Sequence, residues 1–308
     1  MKEDYSFLGK ATKTQGGEGY RLKTIKLRGQ ISQGLLLPLN TVGKEGDDLT
    51  EELGIWLYEP LMKQGGIRSH CNPISLWPSF LQKTDQVRIQ SVMHYFTTYK
   101  EEEWEATLKL DGSSITMWNY EDAPFTYKSK FNKPWKNKVN IWWQKLLNKF
   151  RQPDTFGVCS RNINLREEEG NAFWEVANRC QMRDRLSGYN VAVQAELIGP
   201  NIQSNYEAVR ENDFHIFDVY DIDNAKYLTR VQRIAFLEEV GLSHKHVPTV
   251  SPTFKFGDEV DTLDKLQKYV TIDGMNDGVK AEGVVFKSIA NPSLSFKCIS
   301  NEYLLRER

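Results

Sequence analysis

Apolar and polar positions change period along the chain, and the period predicts the elements. From Tyr20 to Leu39 basic and apolar residues alternate as far as Gly29, and an apolar run follows Gly34. Period-two alternation predicts two short strands with a turn between them, part of a small β module. The Gly43–Asp48 cluster, GKEGDD, predicts a turn, and Leu49–Leu57 a short helix. Gln64–Asn72 has weak periodicity and a glycine pair, which predicts a linker and a domain boundary near residue 70. Beyond it, Glu105–Leu110 and Ile115–Tyr120 alternate on either side of Asp111-Gly112, the pattern of a hairpin. Asn171–Leu186 has helical spacing through Phe173, Trp174, Ala177 and Cys180, and Leu228–Val240 is amphipathic and stopped by Gly241. Val191–Ile198, Asp213–Asp221, Gly283–Lys287 and Ser295–Ile299 read as strands. The predicted class is α+β, with antiparallel sheets flanked by helices.

Composition narrows this picture without changing it. The chain has 308 residues, 40% hydrophobic and 26% charged. That balance is globular, and the length suggests two domains, residues 1–70 and 71–308. No apolar run approaches the roughly 18 residues of a membrane helix, and MKEDYSFLGK lacks the pattern of a signal peptide. Cys71, Cys159, Cys180 and Cys298 are far apart, which argues for a reducing cytosol rather than a disulfide framework. His244 and His246 are too few for a zinc site.

Charge changes more. The formal net charge of −1 speaks against a nucleic-acid partner until it is divided along the chain. Residues 126–151 hold eight Lys or Arg and no acid, and residues 1–40 hold seven against three. Within the first of these stretches Val139, Trp142, Trp143, Leu146 and Phe150 share one helical face, with Lys145 and Lys149 opposite. Three readings stand: a basic helix in which Lys133, Lys136, Lys138, Lys145 and Lys149 track phosphates, a packed amphipathic helix with a solvated basic face, or a helix on a membrane surface.

Candidate chemistry begins at Lys109. Strand alternation puts Lys109 and Asp111 on one face, ahead of the Gly112 turn. Burial and nearby cations lower a lysine pKa until the free amine is a nucleophile, and a carboxylate close by orients the amine or a metal's hydration shell. The bland alternative is an ordinary hairpin with an exposed lysine. Further strands add Glu282 and Lys287 (AEGVVFKS), Lys297 (SFKCIS), Glu196 (QAELIGP), Arg161 (VCSRN) and the aromatic strand FHIFDVY. A site that attacks a nucleoside triphosphate needs this inventory: an amine, carboxylates for metal and ribose, cations for phosphate, and an apolar slot for a base. Solvated strand ends, a surface arginine and core aromatics are the structural alternatives.

Taken together, these segments resemble the covalent nucleotidyltransferases, the polynucleotide ligases and capping enzymes. AELIGPNIQ, WPSFLQKTDQVRIQ and TIKLRGQISQGLLLPL resemble more closely the ATP-dependent RNA ligases that carry an OB-like module ahead of the catalytic domain. The resemblance runs from about Tyr20 to Leu305 and implies an α+β nucleotidyltransferase domain of the ATP-grasp-like ligase kind, preceded by a small, partial OB-like module, with residues 126–151 as a basic insertion. It implies ATP as AMP donor, Mg²⁺ or Mn²⁺, and RNA or an RNA-containing duplex with 3′-hydroxyl and 5′-phosphate ends as substrate; the cysteines point to the cytoplasm, and the sequence leaves the oligomeric state open, with a monomer as the default. Lys109 would take AMP covalently, with Asp111 and Gly112 completing its motif. Glu282 and Asp111 would serve the metal, Lys297 the α-phosphate, Arg161 phosphate or ribose, and Glu196 a ribose hydroxyl. Phe217 and Phe254 are rivals for the adenine. The family's frequent KxK in the last motif is Lys297 followed by Ile299 here, with Lys287 as a possible second cation or an exposed residue. Its GELxGPGIQ carries Ala195 and Asn201 at two small positions. A DNA ligase, a GTP-using capping enzyme and a catalytically dead nucleic-acid scaffold are the alternatives.

Overall fold

In the computed structural model, the residues described are 73–121 and 155–306, apart from 201, 258, 259 and 277, with short stretches between 9 and 55. The chain divides into two compact units, residues 1–68 with 304–308, and residues 69–303. In the first, strand β1 (Gly9–Ala11) pairs antiparallel with β2 (Gly19–Arg21), and β3 (Ile25–Leu27) pairs with β4 (Gln30–Ser32), Leu27 opposite Gln30. Strand pairing therefore begins ahead of Tyr20. The expected helix at Leu49–Leu57 is a single turn over its described part, where Leu53 N–H donates to the Leu49 carbonyl.

The second unit holds two sheets. The larger is β13 (Lys226–Tyr227), β12 (Asp213–Asp221), β11 (Val191–Ile198), β8 (Ser113–Asn119), β9 (Phe156–Ser160), β10 (Ile163–Leu165) and β5 (Pro73–Leu76) in spatial order. All its pairings are antiparallel. The smaller is β14 (Thr249–Phe254), β7 (Trp104–Lys109), β15 (Gly283–Ser288), β16 (Ser295–Ile299) and β6 (Val87–Arg88), antiparallel except for β16 with β6.

One expected feature is overturned. β7 and β8 do not form a hairpin: β7 pairs with β14 and β15, while β8 pairs with β11 and β9. Asp111-Gly112 carries the chain from one sheet to the other. The turn was legible locally, but the strands on either side of it take ladder partners far away in sequence. The Asn171–Leu186 helix is also divided, into Ala172–Arg179 and Met182–Arg185, with Gln181 between them at φ 52°. Asn171 caps the first piece by accepting from the Phe173 and Trp174 backbones.

Each sheet buries one face. Ile115, Met117, Val193, Ala195, Phe214 and Ile216 of the larger sheet pack against Phe173, Trp174 and Val176, and against Phe236 and Leu237 of the helix Arg230–Glu239. Trp104, Ala106, Val284, Phe286 and Phe296 of the smaller sheet pack against Leu266 and Val270 of the helix Leu263–Val270. Alternation then forces the other strand positions onto the opposite faces. Near the Lys109 end these are polar: Glu105, Thr107, Lys109, Lys287, Lys297 and Arg88 on one sheet, Ser114, Thr116, Gln194, Glu196 and Asp218 on the other, while farther along the larger sheet the same face carries Trp118, Ala192 and Tyr220 in a second apolar cluster with Leu81. The faces meet, because Lys287 of β15 forms an ion pair with Asp218 of β12.

Candidate active site

Lys109 ends β7 beside a row set by the ladder. Gly283 of β15 lies opposite Lys109 and Ile299 of β16 lies opposite Gly283. The next row is Thr107, Val285, Lys297 and then Arg88 on the parallel edge strand. Facing them across the cleft, Ser114 lies opposite Glu196. Lys109 Nζ donates to Glu282 Oε2 at 2.7 Å, bringing together residues 173 positions apart.

The electrostatics reverse one expectation. Burial does pull the Lys109 pKa down, but attraction by Glu282, Glu196 and Asp111, with the hydrogen bond to Glu282, outweighs it and holds the amine above its ordinary value. The ligand-free nucleophile is therefore an ammonium ion. Glu196 is pushed up to about 7 by burial, with Glu282 and Asp111 adding to the effect and Lys109 opposing it. Burial likewise raises Glu282, against the pull of Lys109. Lys297 is lowered, by burial and then by the nearby Lys109 charge.

Three carboxylates around one ammonium leave an excess of negative charge, and hard oxygens suit a hard divalent cation. Among the described residues no three such groups converge into a protein-only cage. An ion held by Glu282 and Asp111 would keep most of its water, as Mg²⁺ does. Gly112 is required by close approach: a Cβ there would lie 2.3 Å from the Leu197 carbonyl oxygen and 3.0 Å from Glu196 Cγ. The turn and the Glu196 strand touch backbone to backbone.

Other candidates divide clearly. Phe254 is buried, packed on Phe256, Tyr269 and Phe286 in the core of the smaller sheet, and offers no free ring face. Phe217 is half-buried beside Leu108, Leu110 and Ile198, next to the Lys109 strand end. Lys287 is not exposed. It is 7% accessible, paired with Asp218, and donates to the Phe217 carbonyl at 3.3 Å, so it props the two sheets at the base of the cleft. Arg161 sits on the rim and bonds Asp85 at 2.8 Å, in a cleft also lined by Trp77, Lys83 and Ser114. Ala195 is a core residue, while Asn201 lies outside the described residues. So do Lys133, Lys136, Lys138, Lys145 and Lys149.

Sequence reasoning missed Arg88 and Glu207. Arg88 lies within the quoted WPSFLQKTDQVRIQ, but only its parallel pairing with Lys297 shows that it belongs to the site. Glu207 lies in a polar loop with no pattern to mark it, and it is 1% exposed beside Asp111.

Comparison with known proteins identifies the family. A family model described as RNA ligase matches residues 102–299, and an OB-fold domain family matches residues 1–39. The second match takes in the chain ahead of Tyr20. A comparison with curated proteins returned no match. Among solved structures, a Naegleria gruberi RNA ligase variant with ATP and Mn is 34% identical, with a TM-score of 0.77, covering 99% of this chain and 83% of that one. A second variant, with AMP and Mn, is also 34% identical, with a TM-score of 0.76 over 100% of this chain and 84% of that one. The same ligase with pyrophosphate gives 34% identity and a TM-score of 0.75, over 100% and 83%. With a family match that takes in both sheets' central strands, and relatives aligned along its whole length, this chain belongs to the RNA ligase family.

Proposed function

We propose that the protein is an ATP-dependent RNA ligase that seals 3′-hydroxyl/5′-phosphate nicks in duplexes through AMP carried on Lys109. The observation that carries this reading is Lys109 Nζ held 2.7 Å from Glu282 among three carboxylates, at the end of a polar cleft between two sheets. In the first step a bond forms between Nζ and the α-phosphorus. The bond from that phosphorus to the β-bridging oxygen breaks, pyrophosphate leaves, and the amine protons pass to solvent. In the second an oxygen of the 5′-phosphate bonds the AMP phosphorus, the N–P bond breaks, and the departing lysine nitrogen takes protons back from solvent. In the third the 3′-hydroxyl oxygen bonds the 5′-phosphorus, AMP leaves, and the hydroxyl proton is released.

This chain's residues divide the work. Lys297 and the neighbouring Arg88 put two cations beside the row where Ile299 stands, and neutralise phosphate charge. Glu196 accepts from a ribose hydroxyl, and Phe217 supplies the adenine face. Arg161 contacts phosphate from the rim, and Lys287 holds the cleft floor. Glu282 and Asp111 hold the metal, which when bound supplies positive charge that offsets the carboxylates and favours the neutral amine.

Incubation with α-labelled ATP and Mg²⁺ is expected to leave label on the wild-type protein and none on Lys109→Ala. Label on Lys109→Ala would sink the covalent mechanism, and label from GTP instead of ATP would favour a capping-type enzyme. Sealing assays on nicked duplexes, with each strand made in turn of RNA or DNA, test the substrate. Sealing is expected wherever the 3′-hydroxyl strand is RNA.

A further inference from the structure

Among the described residues, Glu207 is a buried carboxylate that has neither a part in the reaction above nor a salt-bridge partner of its own. Glu207 lies in the loop between β11 and β12 and is 1% exposed. A carboxylate is buried at a cost of several kcal/mol unless its oxygens are bonded. Here they turn toward backbone donors. Asp111 N–H donates to Oε1 at 3.4 Å, and the nearby Met275 backbone amide favours the charged carboxylate. The loop is itself tied down. Tyr206 hydroxyl donates to the Lys280 carbonyl at 2.6 Å, and the Asn276 side-chain amide donates to the Glu207 carbonyl. Asn205, at φ 49°, closes it by donating to the Val209 carbonyl at 3.1 Å.

The two segments bonded to this loop are those that bear the Lys109–Glu282 pair. Asp111 follows Lys109 by two residues, and Met275 to Lys280 lead into Glu282. We propose that Glu207 is a positioning residue, which sets the Lys109 amine against the Glu282 carboxylate: its carboxylate bonds the Asp111 backbone, while its own carbonyl takes the Asn276 amide from the loop that precedes Glu282. The inference rests on the adenylylation reading. It requires the carboxylate to act as an acceptor, not as a third charge for a metal. Glutamine retains one acceptor oxygen and removes the charge, so it separates the two roles.

The test is single-turnover transfer of AMP from α-labelled ATP to the full-length protein, over a range of ATP concentrations and alongside thermal unfolding. Misplacing a reacting group by about 1 Å costs on the order of 100-fold. Glu207→Ala is expected to slow transfer by about 30- to 100-fold with the ATP half-saturation within about threefold of wild type. Glu207→Gln is expected to stay within about threefold in rate. Tyr206→Phe, which frees the loop from Lys280 without touching Glu207, is expected to slow transfer by about tenfold, and decides the matter if Glu207→Ala does not fold. The proposal is overturned if Glu207→Ala loses thermal stability but keeps its rate, or if Glu207→Gln is as slow as Glu207→Ala. Absence of label on the wild-type protein overturns both readings. Label on wild type and Glu207→Ala at equal rates overturns this one alone.

Discussion

At the scale of single residues, the site is a problem in compensated burial. Lys109 became the candidate nucleophile only when the other motifs were added to its strand end and Asp-Gly turn, and its charge state was not legible at all. Expectation had burial and nearby cations lower its pKa, with one carboxylate, Asp111, to orient it; the fold adds carboxylates from β11 and from the residue before β15. Attraction exceeds the desolvation penalty, so the resting amine is protonated and waits for ligands that offset the acids. Glu196 bears the opposite consequence. With a native pKa of about 7 against an ordinary 4.5, it holds its proton more tightly in the folded protein than in the unfolded chain. Its contribution to stability is fully present below the ordinary carboxylate range and is lost as pH rises through 7. Glu196→Gln should therefore match wild type in urea unfolding near pH 4 and exceed it by on the order of 2 kcal/mol at pH 8, without metal or nucleotide. Equal gaps at the two pH values would show that the carboxylate is not confined in this way.

At the scale of elements, the Lys109 turn is a joint between sheets. Gly112 allows the joint to touch β11, and that contact brings Glu196 to the lysine. A second joint lies lower in the cleft. Arg233, on the helix Arg230–Glu239, pairs with Glu105 of β7, and these side chains are 1% and 3% exposed. Arg230 bonds the same carboxylate at 3.1 Å. The helix otherwise packs with the larger sheet, so this buried pair ties it to the smaller one. Arg233→Ala removes the inner partner and leaves Glu105 with one half-exposed arginine. Chemical denaturation should show a loss of about 3 kcal/mol, as expected when one member of a buried pair is deleted. A loss below 1 kcal/mol would mean that Arg230 alone compensates the carboxylate. Neither joint was legible in advance. Period and turn residues mark strands and their ends, but ladder partners are chosen by burial summed over the whole sheet.

At the scale of the whole molecule, two sheets pack apolar faces against their helices and bring polar positions to one another at the Lys109 end. That arrangement explains why the best-conditioned chemistry comes from strand positions that alternate with core residues. The basic stretch 126–151 belongs to this scale too, through its charge. If its lysines track phosphates, each contact adds to the salt dependence of RNA binding. Replacing Lys133, Lys136, Lys138, Lys145 and Lys149 should then flatten the plot of log affinity against log salt by up to about four. An unchanged slope would assign the stretch to packing.

By itself, the sequence determined most of the element types and apolar faces and singled out Lys109, Asp111, Glu196, Glu282 and Lys297 as candidates, because period and residue chemistry are local properties. Tertiary structure alone decided that Lys109 meets Glu282, that Phe254 is core while Phe217 borders the cleft, that Lys287 is a buried strut, and that Arg88 and Glu207 join the site. Those outcomes depend on which distant strands pair and which charges share a low-dielectric space, and no local pattern carries that information.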